Sequence, residues 1–208
     1  MRHITLYGLQ RTGTNLLKWI MDRNFLTEVD QNNKHYAFTT KEILTNAQPI
    51  IIITKNPYSW LPSLYRWRKT CEKMAIRENE QVQGKSFSEF VLGSTDPIHR
   101  WNKTNLKYTT DDVGGLPRII VRYEDLYKDP EKVTRDIAKK LEIPFKGGFF
   151  VLPKGKVNSV NKDTKKKFDA SYYTDKRYIR EYTPNLLQCV YKRLDPKVLE
   201  IFGYDKQP

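Results

Sequence analysis

Cysteine and histidine are scarce in this sequence. Of 208 residues, two are cysteine (Cys71, Cys189) and three are histidine (His3, His35, His99). Two cysteines exclude a disulfide framework, and neither has the neighbours that a zinc site needs. Two reduced thiols, no bound metal and a cytoplasmic setting are the expectation. Long apolar runs are also missing. Ile50–Ile53 is four residues, against the roughly 18 that a membrane span requires. The first residues do not read as a secretory leader, because Gly8 and Arg11 interrupt the only apolar stretch there. Internal repeats and low-complexity linkers are absent. Acids are under-represented too: 24 Asp and Glu face 37 Lys and Arg, a net charge of +13. That balance predicts an anionic partner.

The charge is uneven. From Lys154 to Arg180 there are nine basic residues and three acids. What remains suits a globular protein: 38% of residues are hydrophobic and 12% aromatic, enough for a packed core.

The expected organisation is strand, loop, helix, repeated. Ile4–Tyr7 is β-branched and aromatic, and a helical pattern follows from Thr14 to Phe25. A short helix is expected near Thr40–Asn46. Ile50–Thr54 follows Pro49 as a continuous apolar run, the pattern of a strand buried on both faces. Pro57 then opens a helix, where its missing N–H is harmless, though Pro62 should kink it. Helices are expected at Ser86–Leu92 and Trp101–Tyr108, and a further strand at Arg118–Arg122. Asp129 and Pro130 begin a helix running to Leu141. The C-terminal part reads as a basic loop and two helices, Tyr172–Glu181 and Pro184–Leu194. The pattern predicts one α/β domain over residues 1–208, a three-layer α/β/α arrangement on a mainly parallel sheet. Residues 70–112 form an acceptor-side insertion in this reading, and 150–180 a basic lid. Ligands of such sheets lie beyond the carboxyl ends of the strands. The chemistry is therefore sought after Tyr7, Thr54 and Arg122.

Gly8-Leu9-Gln10-Arg11-Thr12-Gly13-Thr14-Asn15 joins the first strand to the first helix. Its G-x4-G spacing is that of a P-loop, which lets backbone N–H groups converge on a phosphate at a helix N-terminus. The Lys and Ser/Thr that follow the second glycine in nucleotide-hydrolysing P-loops are replaced by Thr14 and Asn15. The cation is inside the loop, at Arg11. The loop suits a phosphate but not Mg·ATP cleavage.

This segment resembles the 5′-phosphosulfate loop of sulfotransferases that use 3′-phosphoadenosine 5′-phosphosulfate (PAPS). The resemblance assigns Arg11 to the bridging and 5′-phosphate oxygens, and Thr12, Gly13, Thr14 and Asn15 to backbone and hydroxyl donation. Leu16 stands where many members have an adenine-stacking tryptophan. Lys55 at a strand end, with Ser63 eight residues later, matches the family's 3′-phosphate pattern, although Lys replaces the usual Arg and loses its fork. Arg118–Leu126 and Asp129-Pro130 also resemble the family, and Tyr123 matches a tyrosine near the adenine. Glu124 and Asp125 are read as structural. In relatives a basic loop near the C-terminus closes over the cofactor. Lys154 to Lys167 is the corresponding stretch, and the sequence does not single out one lysine.

The resemblance implies in-line sulfuryl transfer from PAPS to an acceptor hydroxyl, releasing 3′-phosphoadenosine 5′-phosphate (PAP) without a metal. Such a reaction uses a general base. His35, beside Lys34, resembles the Lys-His segment of some smaller members; Glu28 and Asp30 are the alternatives. Lys34 can instead assist the leaving group. Arg68, Lys69, Lys73, Arg77, Trp101 and Tyr108 would suit an anionic glycan or a phenol as acceptor. Two other classes stay open: a P-loop nucleotide kinase, which lacks its Gly-Lys-Ser/Thr, and a basic nucleic-acid binder, which lacks any familiar aromatic–basic motif.

Overall fold

The computed structural model describes residues 1–32, 34–35, 46–73, 82–155, 157 and 171–206. The helix expected at Thr40–Asn46 lies outside these residues, all but its last position. So do Arg77 and most of the basic stretch, Lys156, Lys162 and Lys165 to Lys167.

The described residues are α/β. The strands are β1 (Arg2–Tyr7), β2 (Thr27–Asp30), β3 (Ile50–Thr54) and β4 (Arg118–Arg122). They form one sheet in the order β2-β1-β3-β4, and every pair is parallel. The helices are α1 (Thr14–Asn24), α2 (Pro57–Lys73), α3 (Phe87–Leu92), α4 (Pro97–Thr110), α5 (Tyr123–Lys128), α6 (Pro130–Lys140), α7 (Ser171–Thr174), α8 (Pro184–Arg193) and α9 (Pro196–Ile201). A 3-10 turn spans Arg177–Glu181. The chain divides into two compact units. Met1–Thr54 with Thr110–Ala170 makes the first, and Lys55–Thr109 with Ser171–Pro208 the second.

The first unit contains the sheet. All five residues of β3 are buried, as its unbroken apolar run requires. Ile4, Leu6, Ile51, Ile53, Ile119 and Val121 from the strands pack with Leu17, Ile20 and Met21 of α1 and Ile137 of α6. α6 begins where expected: the Asp129 carboxylate accepts from the Lys132 N–H at 3.0 Å, with Pro130 at the first position. β2 was not expected. It has four residues and only Val29 as a large apolar side chain, and it exists because its backbone pairs with β1 (Arg2 opposite Thr27, Thr5 opposite Asp30).

The second unit is built around aromatics. Tyr58, Trp60, Trp101, Tyr108 and Phe90 are fully buried. The expected helix at Trp101–Tyr108 starts four residues earlier, and α9 was not anticipated. The segment Tyr172–Glu181 is a short helix and a 3-10 turn rather than one helix. Pro62 lies within α2, which continues through it. A proline there removes the N–H that would bond to the Tyr58 carbonyl. The Tyr182 hydroxyl supplies the replacement, donating to the Tyr58 oxygen at 2.8 Å. Burial raises the Tyr182 pKa well above its ordinary value, so the donor keeps its proton.

Candidate functional site

The site is assembled at the carboxyl end of β1. From β1 the chain crosses to β2 on one side, and β3 pairs on the other. This reversal of direction is where open parallel sheets leave a crevice for ligands. The Gly8–Asn15 loop lies there.

Its geometry follows from two glycines and one strained arginine. A Cβ on Gly8 would come within 2.6 Å of the Ile53 carbonyl oxygen, so the loop can leave the sheet this closely only with glycine. Arg11 and Gly13 both have positive φ, 70° and 94°, and Thr12 between them does not. Alternation of this kind turns successive N–H groups toward one side, a concavity for an anion. Gly13 is the N-cap of α1 and gives no side-chain cap, and no acid occupies the first turn. The first intrahelical bond of this end runs from Leu17 N–H to Gly13 O, 3.0 Å. The preceding N–H groups of the helix belong to the terminus, where the macrodipole favours negative charge. α3, α6, α8 and α9, by contrast, are each capped by a side chain.

Thr12 is engaged within the turn. Its hydroxyl donates to Leu9 O at 2.7 Å and its N–H to the same oxygen at 3.2 Å. Both close the turn. Tyr123, the first residue of α5, lies against Gly13: a Cβ there would be 2.4 Å from the Tyr123 ring. Tyr123 is thus brought to the loop.

Lys34 and His35 are brought there as well. The Gly8 N–H donates to Lys34 O at 2.7 Å. His35 Nδ1 is 2.9 Å from Gly8 O. A carbonyl only accepts, so Nδ1 carries a proton, and in a neutral ring Nε2 would be the basic nitrogen. Lys34 Nζ donates to Asn15 Oδ1 at 2.7 Å and to Gln31 Oε1. Burial, with the Lys18 charge adding to it, lowers the Lys34 pKa from its ordinary value. An anion on the loop would reverse that bias.

The other base candidates lie elsewhere. Glu28 is opposite His3 in the register and pairs with it, Oε2 to Nδ1 3.4 Å. At about 3.3 Å per residue, that is on the order of 16 Å along β1 from Gly8. Asp30 is opposite Thr5, roughly 10 Å short of the loop by the same rise, and its carboxylate accepts from the Asn32 N–H at 2.9 Å.

In the second unit, Lys55 directly follows β3 and is buried. Its Nζ donates to the Tyr173 hydroxyl at 3.0 Å. Ser63 is half-buried on α2, one turn after Ser59, whose hydroxyl goes to Asn56 O. Trp101 and Tyr108 are core residues, not acceptor-facing ones: both are fully buried, and Trp101 Nε1 donates to Lys55 O at 3.0 Å. Arg68 is buried beside the Phe90 ring, 5.6 Å from its centroid. Tyr173 is the residue that sequence reasoning missed. It is 118 positions from Lys55, and nothing local marks it. Arg122 and Asp125 stand 3.8 Å apart at the start of α5, which suits the structural role expected of that acid.

No family model matches the chain, and no curated protein matches it. Among solved structures it is similar to the Sulfotransferase Domain from the Curacin Biosynthetic Pathway. The two are 14% identical with a TM-score of 0.40, over 88% of this chain and 63% of that one. The chain therefore spans less than two thirds of that structure. A likeness this weak carries no argument about activity. Among the described residues, no group of three or more His, Cys, Asp or Glu could hold a metal ion. No helix among them is long and apolar enough to cross a membrane.

Proposed function

We propose that the protein is a PAPS-dependent sulfotransferase, with the 5′-phosphosulfate held by the Gly8–Asn15 loop. The observation that carries the reading is the convergence at the α1 N-terminus. A helix end without a side-chain cap, a left-handed Arg11, the Lys34 ammonium and an imidazole at His35 hydrogen-bonded through Nδ1 all meet one P-loop-spaced turn. Phosphate recognition needs the first three, and a hydroxyl acceptor needs the fourth.

In this reading the N–H groups of Gly13, Thr14 and Asn15 bind phosphate oxygens, and Thr12 shapes the turn. The acceptor oxygen attacks sulfur as the bond from sulfur to the 5′-phosphate oxygen breaks. That oxygen keeps the electron pair and leaves with PAP. His35 Nε2 takes the acceptor's proton. Arg11 and Lys34 stabilise the charge growing on the leaving oxygen. The family resemblance assigns Tyr123 to the adenine and Lys55 and Ser63 to the 3′-phosphate. The acceptor is a hydroxyl compound, with a glycan or a phenol as the classes to screen.

The test is thermal unfolding with PAP and, separately, with Mg·ATP. PAP at a hundred times its dissociation constant should stabilise the protein by about 2.7 kcal/mol. A clear shift with Mg·ATP and none with PAP overturns the proposal in favour of a kinase.

A further inference from the structure

The first unit leaves one aromatic side chain almost wholly in solvent. Phe149 is 96% exposed, and Val151 and Leu152 are 43% and 47% exposed. Phe150 turns the other way. Its ring stacks on Phe145 at 6.4 Å and meets Phe25 edge to face at 6.3 Å. Sending neighbouring rings in opposite directions takes a sharp bend. Gly147 and Gly148 supply it, with φ of 89° and 76°. A Cβ on either glycine would meet nothing within 4 Å, so the bend faces open space.

The bend is pinned at both ends by Asn24, itself buried. The Asn24 carbonyl accepts from the Lys146 N–H at 2.8 Å. Its side-chain amide donates to Val151 O at 2.9 Å and accepts from the Val151 N–H at 2.7 Å. Phe149 is therefore presented on a short, fixed loop. Asn24 is the last residue of α1, which has 11 residues. At about 1.5 Å per residue, the bend lies roughly 16 Å from the Gly8–Asn15 loop. All of these residues belong to the first unit. Positive charge surrounds the bend. From Arg135 to Lys146 there are four basic residues and two acids. Lys146 is exposed, and its Nζ donates to Asp22 O at 2.6 Å, a neutral group that leaves the ammonium its charge. The Arg135 guanidinium is 4.6 Å from the Phe145 centroid and 5.5 Å from that of Phe150, so this face of α6 flanks the bend. Lys139 is exposed one turn further along the same face. Of the acids nearby, Asp136 pairs with Lys132 and Glu131 with Arg135, each at 2.8 Å, and Glu142 is exposed.

An apolar tip among cations fits a bilayer better than a protein partner. A bilayer takes an aromatic anchor without a matching pocket, and its anionic headgroups attract the lysines. A protein would need a cavity shaped to Phe149. We propose that the Gly147–Leu152 loop is a membrane-surface anchor. Phe149 enters the interface of an anionic bilayer, and Lys139 and Lys146 meet the lipid phosphates. The attachment is peripheral and calls for no spanning helix; among the described residues there is none. One aromatic and a few cations give weak, reversible binding rather than insertion. The anchor does not depend on the chemistry of the Gly8–Asn15 loop, which lies at the opposite end of α1.

The experiment is co-sedimentation with vesicles of phosphatidylcholine alone and of phosphatidylcholine mixed equally with phosphatidylserine. Wild type should sediment with the mixed vesicles and stay in solution with the neutral ones. Phe149→Ser should weaken binding roughly 10- to 100-fold, the worth of burying one phenylalanine. Its ring is exposed, so the variant should keep the wild-type melting curve. Lys139→Ser combined with Lys146→Ser should weaken binding roughly 25-fold, about fivefold for each lysine. Phe149→Trp should bind as wild type does and add a fluorescence component that brominated lipid quenches. Wild type that ignores the mixed vesicles, or binds the neutral ones equally, overturns the proposal. So does Phe149→Ser that binds the mixed vesicles as tightly as wild type, since net charge alone would then account for the attraction. A contact between copies of the chain would show no vesicle binding and a wild-type dimer, in sedimentation equilibrium, that Phe149→Ser turns into a monomer. That result also overturns the anchor.

Discussion

Arg11 is held against its backbone preference. A non-glycine residue at φ 70° holds a conformation that costs about 1 kcal/mol relative to glycine. Glycine would serve the turn better, yet it would carry no cation. Arg11→Gly should therefore leave stability equal or higher by about 1 kcal/mol, as urea unfolding would show, while PAP affinity falls sharply. Unchanged affinity would remove Arg11 from the proposed site. Gly13→Ala should do the opposite to stability. Its Cβ would meet Tyr123 at 2.4 Å in a left-handed backbone, so a loss of roughly 2–4 kcal/mol is expected from strain and overpacking. His35→Ala should retain PAP binding and lose about 10²- to 10⁴-fold in kcat on a true acceptor. A near-normal kcat would move the base elsewhere, to Asp30 before Glu28. The Gly8–Asn15 turn could be read from sequence because its spacing is local. That Tyr123 lies on Gly13, and that the His35 proton sits on Nδ1, could not. Both depend on partners that the chain brings in from a distance.

At the level of elements, legibility followed burial. β3 announces itself as four isoleucines, since a strand covered on both faces must be apolar throughout. β2, Thr-Glu-Val-Asp, has no such signature, and pairing with β1 overrides its weak propensity. α2 is the instructive case. Pro62 predicted a kink; the helix runs on through it, and Tyr182 serves the carbonyl that the proline strands. Removing that hydroxyl, Tyr182→Phe, should destabilise the protein by about 1–3 kcal/mol, the penalty for a buried acceptor left without its donor. Pro62→Ala restores an N–H at that turn. In the double variant the Tyr182→Phe loss should shrink to near zero. Equal losses in both backgrounds, in a double-mutant cycle of urea midpoints, would show that the proline and the tyrosine are uncoupled.

Over the whole molecule, charge was the first clue and remains a testable one. A net charge of +13 should draw a multiply anionic nucleotide toward the protein. Raising salt should slow PAP association far more than it speeds dissociation. Stopped-flow rates that do not respond to salt would mean that the net charge serves some other partner. The parallel α/β class was legible from repeated strand–loop–helix spacing. The division into two units was not, because each is made from two separate stretches, Met1–Thr54 with Thr110–Ala170 and Lys55–Thr109 with Ser171–Pro208. That interleaving has a consequence in time. Tyr58 is made 124 residues before Tyr182, which completes its helix. At about 5–20 residues per second, a ribosome takes on the order of 6–25 s to cover that interval. Through it Tyr58 and Trp60, and from residue 90 onward Phe90 as well, exist without the chain segment that supplies Tyr182. Nascent chains stalled within this window are the species on which a chaperone should be found.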